Sequence, residues 1–232
     1  MPNHVANVIR IDEIKNLPLF STDEDGIQYF DFNKVIPMPE SLNIDSGSIE
    51  DIAIEAVMRK LSKREQYSFN KKNYCQMTDD EFKQRNHGKS EDELEKIGLR
   101  YISNLVMYGA TTWYDWRCKH WGTKWSAYDF KFKDDNTIMF QTAWSCPEPI
   151  VEKIAEMYPD LTIEHWWADE DCGNNSGYML YENGNVYGDY DEQGSSDAYE
   201  HYDFCWGGSN CIYQDDEGNY HKHDCDTCTG CN

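Results

Sequence analysis

WGTKWSAYDFKFKDDNTIMFQTAWSCPEPIVEKIAEMYPDLTIEHWW, residues 121–167, decides the fold. Tyr128, Phe130 and Phe132 alternate with Asp129, Lys131 and Lys133, the period of two that marks a half-buried strand. Asp134, Asp135 and Asn136 supply turn chemistry, because short Asx side chains bond their own backbone. Alternation resumes at Ile138, Phe140, Thr142 and Trp144, so the two runs predict a hairpin. Ser145 reads as an N-cap, with Pro147 in the first turn and Glu148 at the positive helix end. Ile150, Val151, Ile154 and Met157 fall on one helical face. After Pro159 and Asp160, the residues Leu161, Ile163, His165 and Trp167 alternate once more. Hairpin, helix, strand is half of a split β-α-β sandwich.

Outward from this stretch, residues 3–11 alternate as a first strand. The prolines in VIPMP, residues 35–39, exclude a central strand there, and Tyr29, Phe30 and Phe32 predict a short extended piece. Three hydroxyl–carboxylate pairs at capping-box spacing follow: Ser48 with Asp51, Thr78 with Glu81, and Ser90 with Glu93. They predict a helix from Ser48 to about Arg64, a short second helix, and a third closed by Gly109. Residues 48–120 are therefore expected to be a helical block inserted after the first strand, with a charged link over residues 60–73. Near residues 178–190, Asn183-Gly184 predicts a second hairpin with a type I′ turn. Beyond it, periodicity gives way to a Gly-, Asp- and Tyr-rich segment.

Charge is strongly one-sided. The chain of 232 residues carries a formal −22, and within residues 161–232 sixteen Asp/Glu stand against Lys222 alone, which is −15 of that total. Such a balance disfavours direct contact with nucleic-acid phosphates, which takes a surplus of Lys and Arg. No run reaches the roughly 18 apolar residues of a membrane span. Nine cysteines behind a start without signal-peptide organisation suggest a reducing cytoplasm and mostly free thiols.

The segments MPNHVAN (residues 1–7), FDFNKVIPMPESL (30–42), WGTKWSAYDF (121–130), TAWSCPEPIVEKIAEMYPDLT (142–162) and the later GY, ENG and YG together resemble the YubB ferredoxin-like domain family of phage and plasmid proteins. The resemblance spans roughly residues 1–190. It implies an α+β ferredoxin-like sandwich with an antiparallel sheet, the helical insertion, and an acidic irregular extension over residues 191–232. The fold name describes a topology and implies no iron–sulfur cluster, and the family brings no activity and no functional residues.

Two sets of side chains are candidate sites. His221, His223, Cys225, Cys228 and Cys231, with Cys205 and Cys211 upstream, include the C-x2-C spacing of zinc ligands, and zinc would order a segment poor in aliphatics. A loosely packed tail with free thiols, disulfides, or the beginning of an iron–sulfur run are the competing readings. The second set is acidic: Asp169, Glu170, Asp171, Asp189, Asp191, Glu192, Asp215, Asp216 and Glu217. Trp113, Trp116, Trp121, Trp125 and Trp144 with Tyr114 are expected to be mainly core, and any exposed remainder an interaction patch. His120, His165 and His201 give no catalytic constellation, and no nucleophile elbow or phosphate loop is present. The expectation is a non-enzymatic phage or mobile-element protein whose acidic surface binds a basic host protein. It would stand in for nucleic acid to inhibit a restriction- or CRISPR-type defence. A metal-dependent enzyme and a zinc-stapled assembly protein are the alternatives.

Overall fold

The structure, a computed structural model, describes residues 3–61 and 77–223. Its contacts divide into two compact units, one formed by Met1–Pro37 with Cys118–Asn232 and the other by Met38–Arg117.

The first unit is built on a six-stranded sheet in the order β4-β5-β1-β6-β7-β8. Its strands are β1 His4–Ile11, β4 Tyr128–Phe132, β5 Thr137–Ala143, β6 Ile163–Asp169, β7 Gly177–Glu182 and β8 Asn185–Tyr190. Every neighbouring pair is antiparallel. The order β4-β5-β1-β6 is the split β-α-β arrangement expected from residues 121–167, with β7 and β8 added beyond β6. Short strands β2 Phe20–Thr22 and β3 Gln28–Phe30 form a separate ribbon, followed by the single turn α1 Phe32–Val35.

One sheet face presents Val5, Asn7, Ile9 and Ile11 beside Ile163, His165 and Trp167. On this side Phe30, Phe32, Phe140 and Trp121 form an edge-to-face cluster with centroids 5.1–6.2 Å apart. The helix Glu148–Met157 buries Ile150, Val151 and Ile154 completely. Ser145 does not cap it: its hydroxyl donates to the Gly122 carbonyl, and Pro147 occupies the N-cap. Trp144, expected as the last strand residue, lies beyond β5 at φ 71°.

The opposite face carries Ala6, Val8 and Ala168, which pack with Cys205. They are covered by a helix over Ser196–Trp206, in the segment where periodicity ended. Its buried positions, Ala198 and Cys205, are small. The remaining cover comes from the aromatics Tyr202, Phe204 and Trp206. A hairpin of β9 Ile212–Gln214 and β10 Tyr220–Lys222 follows.

The second unit contains the helices Ser48–Lys60, Asp79–Arg85 and Glu91–Tyr108. Numbered along the chain, these are α2, α3 and α4. Helix α5 is Trp113–His120, α6 is Glu148–Met157 and α7 is Ser196–Trp206. Helices α2 and α4 pack around Ile52, Ala53, Ala56, Leu94 and Tyr101. The capping boxes at Thr78/Glu81 and Ser90/Glu93 form in both directions, and Gly109 closes α4 in the left-handed region. The Ser48/Asp51 box does not form. Gly47 takes the N-cap position and Ser48 lies inside the first turn. Arg59, held by Glu55 one turn back in α2, ties that helix to α3 by bonds to Asp79 and the Met77 carbonyl while stacking over Phe82. Helix α2 ends at Lys60, short of the expected Arg64, because Leu61 is already extended, and the charged link beyond residue 61 falls outside the described residues.

Candidate functional site

The outer edge of the sheet is the most exposed regular element. The β7–β8 hairpin turns through Asn183 at φ 51° and Gly184 at φ 76°, the two left-handed positions of the expected type I′ turn. All six residues of β8 are exposed, including Val186, Tyr187 and Tyr190. Alongside β8 runs α6 with Glu148, Glu152 and Glu156 spaced one turn apart. A cleft of about 330 Å³ lies between them, lined by Glu152, Glu156, Leu161, Tyr181, Glu182 and Val186. Burial, and then the like charges of Glu148 and Glu156, push the Glu152 carboxyl above its ordinary range. Lys153 pairs with Glu156 at 2.7 Å, an exposed contact that contributes little.

Tyr190 closes the inner end of this edge. Its ring packs on Trp167 with centroids 4.9 Å apart, and its hydroxyl donates to Glu148 at 3.0 Å. The Cys146 sulfur lies 3.7 Å from the same hydroxyl. Burial pushes that thiol up to about 12, so Cys146 is protonated and is no nucleophile at neutral pH.

Of the nine acidic candidates, Glu170, Asp171, Asp189, Glu192, Asp216 and Glu217 are exposed. Three others have structural partners. Asp169 is buried and accepts from Asn3, the Asp171 backbone and Asn175. Asp191 bonds His201 at 2.8 Å. Asp215 closes the β9–β10 turn, accepting from His221 and from the backbone N–H groups of Glu217 and Asn219. Those bonds hold its carboxyl well below the usual range. Glu170 and Asp171 lie close enough to the Tyr202 phenol on α7 to help raise its pKa, behind the larger effect of burial. Spacing in the sequence did not mark out the Glu148–Glu152–Glu156 row, although its i,i+4 periodicity could have revealed it.

The metal candidates separate. Cys205 sits in the core against Ala6, Val8 and Ala168, with its thiol pushed up by burial, so it does not fit an ordered ligand set. Cys211 is disulfide-bonded. His221 is engaged by Asp215, and the rings of His221 and His223 both pack on Tyr213. Cys225, Cys228 and Cys231 lie outside the described residues, and among the described residues no three His, Cys, Asp or Glu side chains are placed to hold a metal ion.

The tryptophans divide between core and surface. Trp116 and Trp121 are buried, whereas Trp125 and Trp144 are exposed and hold the Lys124 ammonium at 4.0 and 3.7 Å from their ring centroids. The left-handed backbone of Trp144 is held on both sides: its N–H donates to Asn3, and its carbonyl accepts from Asn175.

A buried polar chain crosses the sheet beneath these groups. His165 Nε2 meets Asn7 Oδ1 at 3.1 Å, Asn7 Nδ2 donates to Thr142, and Thr142 donates to the Ser145 carbonyl. Burial alone lowers the His165 pKa to about 3, so the ring is neutral and structural. Between the ordinary value of 6.5 and about 3, the unfolded chain binds a proton that the folded chain refuses. This contribution therefore leaves stability intact above pH 6.5 and erodes it as pH falls, by about 2 kcal/mol between pH 8 and pH 5. Urea unfolding across that range should show a shallower acid loss for His165→Phe than for the native chain. Equal slopes would contradict a neutral buried ring.

Comparison with curated proteins returns no match. A solved structure, the protein Api92 from Yersinia pseudotuberculosis, aligns at 11% identity with a TM-score of 0.35, covering 83% of this chain and 99% of that one. Among the described residues no helix is long and apolar enough to cross a membrane. Residues 120–205 match a family model described as the ferredoxin-like domain in Api92-like protein. That span runs from the end of α5 through the helix α7 that covers the second sheet face, and the ferredoxin-like α+β fold of this part of the chain is thereby established.

Proposed function

We propose that this chain is a non-enzymatic binding protein whose acidic surface occupies a basic, nucleic-acid-binding surface of another protein. The observation carrying this reading is the open β8 edge beside the Glu148–Glu152–Glu156 row, where burial, and then the like charges of its neighbours, raise the Glu152 carboxyl. The exposed Glu170, Asp171, Asp189, Glu192, Asp216 and Glu217 extend the same sign over the rest of the unit. Carboxylates so arranged attract a Lys/Arg-rich surface, speed encounter and make association salt-dependent. The kinship with YubB-type phage and plasmid proteins, a bacterial cytoplasmic setting and inhibition of a defence component belong to this proposal, as does direct avoidance of nucleic acid.

An enzymatic reading has less support. Cys146 and His165 are held in neutral forms, and His201 is tied to Asp191. The zinc reading now rests on residues beyond His223. Capture from bacterial extract at low and at high salt tests the proposal. The expected result is a basic protein retained at low salt, released at high salt and displaced by duplex DNA. Retention of no basic protein at low salt contradicts it.

A further inference from the structure

We infer that β8 accepts an extended segment of a basic partner as an additional strand of the sheet, with lysine or arginine side chains of that segment lying against the α6 carboxylates. The inference rests on the acidic-surface reading and assigns it a mode of binding.

The two edges of the sheet differ. At β4 the ladder breaks between Tyr128 and Lys131, Asp129 sits at φ 49°, Lys131 and Lys133 are exposed, and Phe20 of the small ribbon packs on Phe130 and Phe132. A bulge, lysines and a covering element are the usual protections of an edge. At β8 the register with β7 runs without a shift from Asn185 to Tyr190, with only Gly188 leaving the extended region at φ 108°. In a two-residue hairpin the residues flanking the turn exchange both backbone bonds, so Asn185, Tyr187 and Asp189 face β7. By the same alternation Val186, and Gly188 with its φ of 108°, are the positions whose N–H and C=O groups face away from β7, and among the described residues no strand pairs with them. The next outward N–H, that of Tyr190, is taken by the Asp189 side chain at 2.8 Å.

Side-chain placement selects the occupant. Val186 and Tyr190 lie opposite the buried Tyr181 and Gly177, so they share the α6 side of the sheet. A strand laid along β8 would direct alternate side chains into the cleft bounded by Glu152, Glu156 and Glu182. Among the described residues no cationic side chain lines that cleft, although Lys153 pairs with Glu156 at its rim. A second copy of this chain is a poor occupant, since it brings another −22. A segment alternating basic and apolar residues matches both the ladder and the carboxylates.

The probe is a short alternating lysine–valine peptide, compared with the same peptide N-methylated at alternate residues, both titrated against the full chain. The charges are equal, and only the unmethylated form can complete the ladder. Binding about tenfold tighter for the unmethylated peptide is expected, from one to two net backbone bonds. It should come with slowed hydrogen exchange at Val186 and Gly188. The variant Val186→Pro removes an outward N–H without touching the β7 ladder, and should reduce the preference for the unmethylated peptide. Should that variant fail to fold, the peptide pair still decides on the native chain. Equal affinities without protection overturn strand addition and leave the acidic surface standing. Binding by neither peptide also overturns it, while the acidic reading is then judged by its own capture from extract. A dimer abolished by Val186→Pro overturns it too, assigning the edge to a second copy.

Discussion

Replacing Gly98 with alanine is expected to destabilise the α2–α4 unit by about 3 kcal/mol or more, the upper end of the overpacking range. A Cβ at this position would lie 2.0 Å from the Ala53 carbonyl oxygen, 2.6 Å from its carbon and 2.7 Å from a Val57 methyl. Backbone cannot rotate away as a side-chain tip can, so the helices must part by more than an ångström. Ile52, Ala53, Leu94 and Tyr101, all within 1% of complete burial, would then lose contacts together. Alanine's better helix propensity returns about 1 kcal/mol, too little to offset this. Thermal unfolding followed by helical circular dichroism checks the expectation, and an unchanged melting profile would mean that the two helices do not meet at Gly98.

Trp121→Ala should be comparably severe, at about 3–5 kcal/mol. The ring is fully buried, meets Phe32 edge-on at 5.6 Å and donates from Nε1 to the Ile36 carbonyl at 2.9 Å. Removing it opens a large cavity beside Phe32 and leaves that acceptor without its indole partner. Trp121→Phe restores much of the volume but not the donor, and should cost about 1–3 kcal/mol. By contrast Trp125→Ala, on the exposed side of the same segment, should change stability by about 0.5 kcal/mol or less. Urea unfolding of the three variants gives the ranking. A Trp121→Ala chain as stable as Trp125→Ala would contradict the placement of Trp121 in the core.

The sheet was largely legible because its residues announce themselves twice, by alternation and by turn chemistry. Residues 128–144 and 178–190 gave two hairpins, and the Ile150–Val151–Ile154 face gave the helix between them. Helix α7 escaped because its apolar contacts are aromatic and small rather than aliphatic, so Tyr202, Cys205 and Trp206 register weakly as a periodic face. Two of the three capping boxes formed. The third failed because Gly47 leads into α2 directly, and the same sequence spacing cannot distinguish a cap from the first helical turn. Acidity was readable as a total and not as a surface. Asp169 and Asp191 turned inward to Asn3, Asn175 and His201, since a carboxylate satisfies several buried donors at once. Conversely, the Glu148–Glu152–Glu156 row matters because the β8 edge lies beside it, a relation between elements separated by two strands.

The proposed role of the acidic surface is to take the place of nucleic acid on a basic protein. Its most direct test is competition between this chain and duplex DNA for the partner captured at low salt. Mutually exclusive binding is predicted, with both associations weakening as salt rises. A stable ternary complex of partner, DNA and this chain would contradict it.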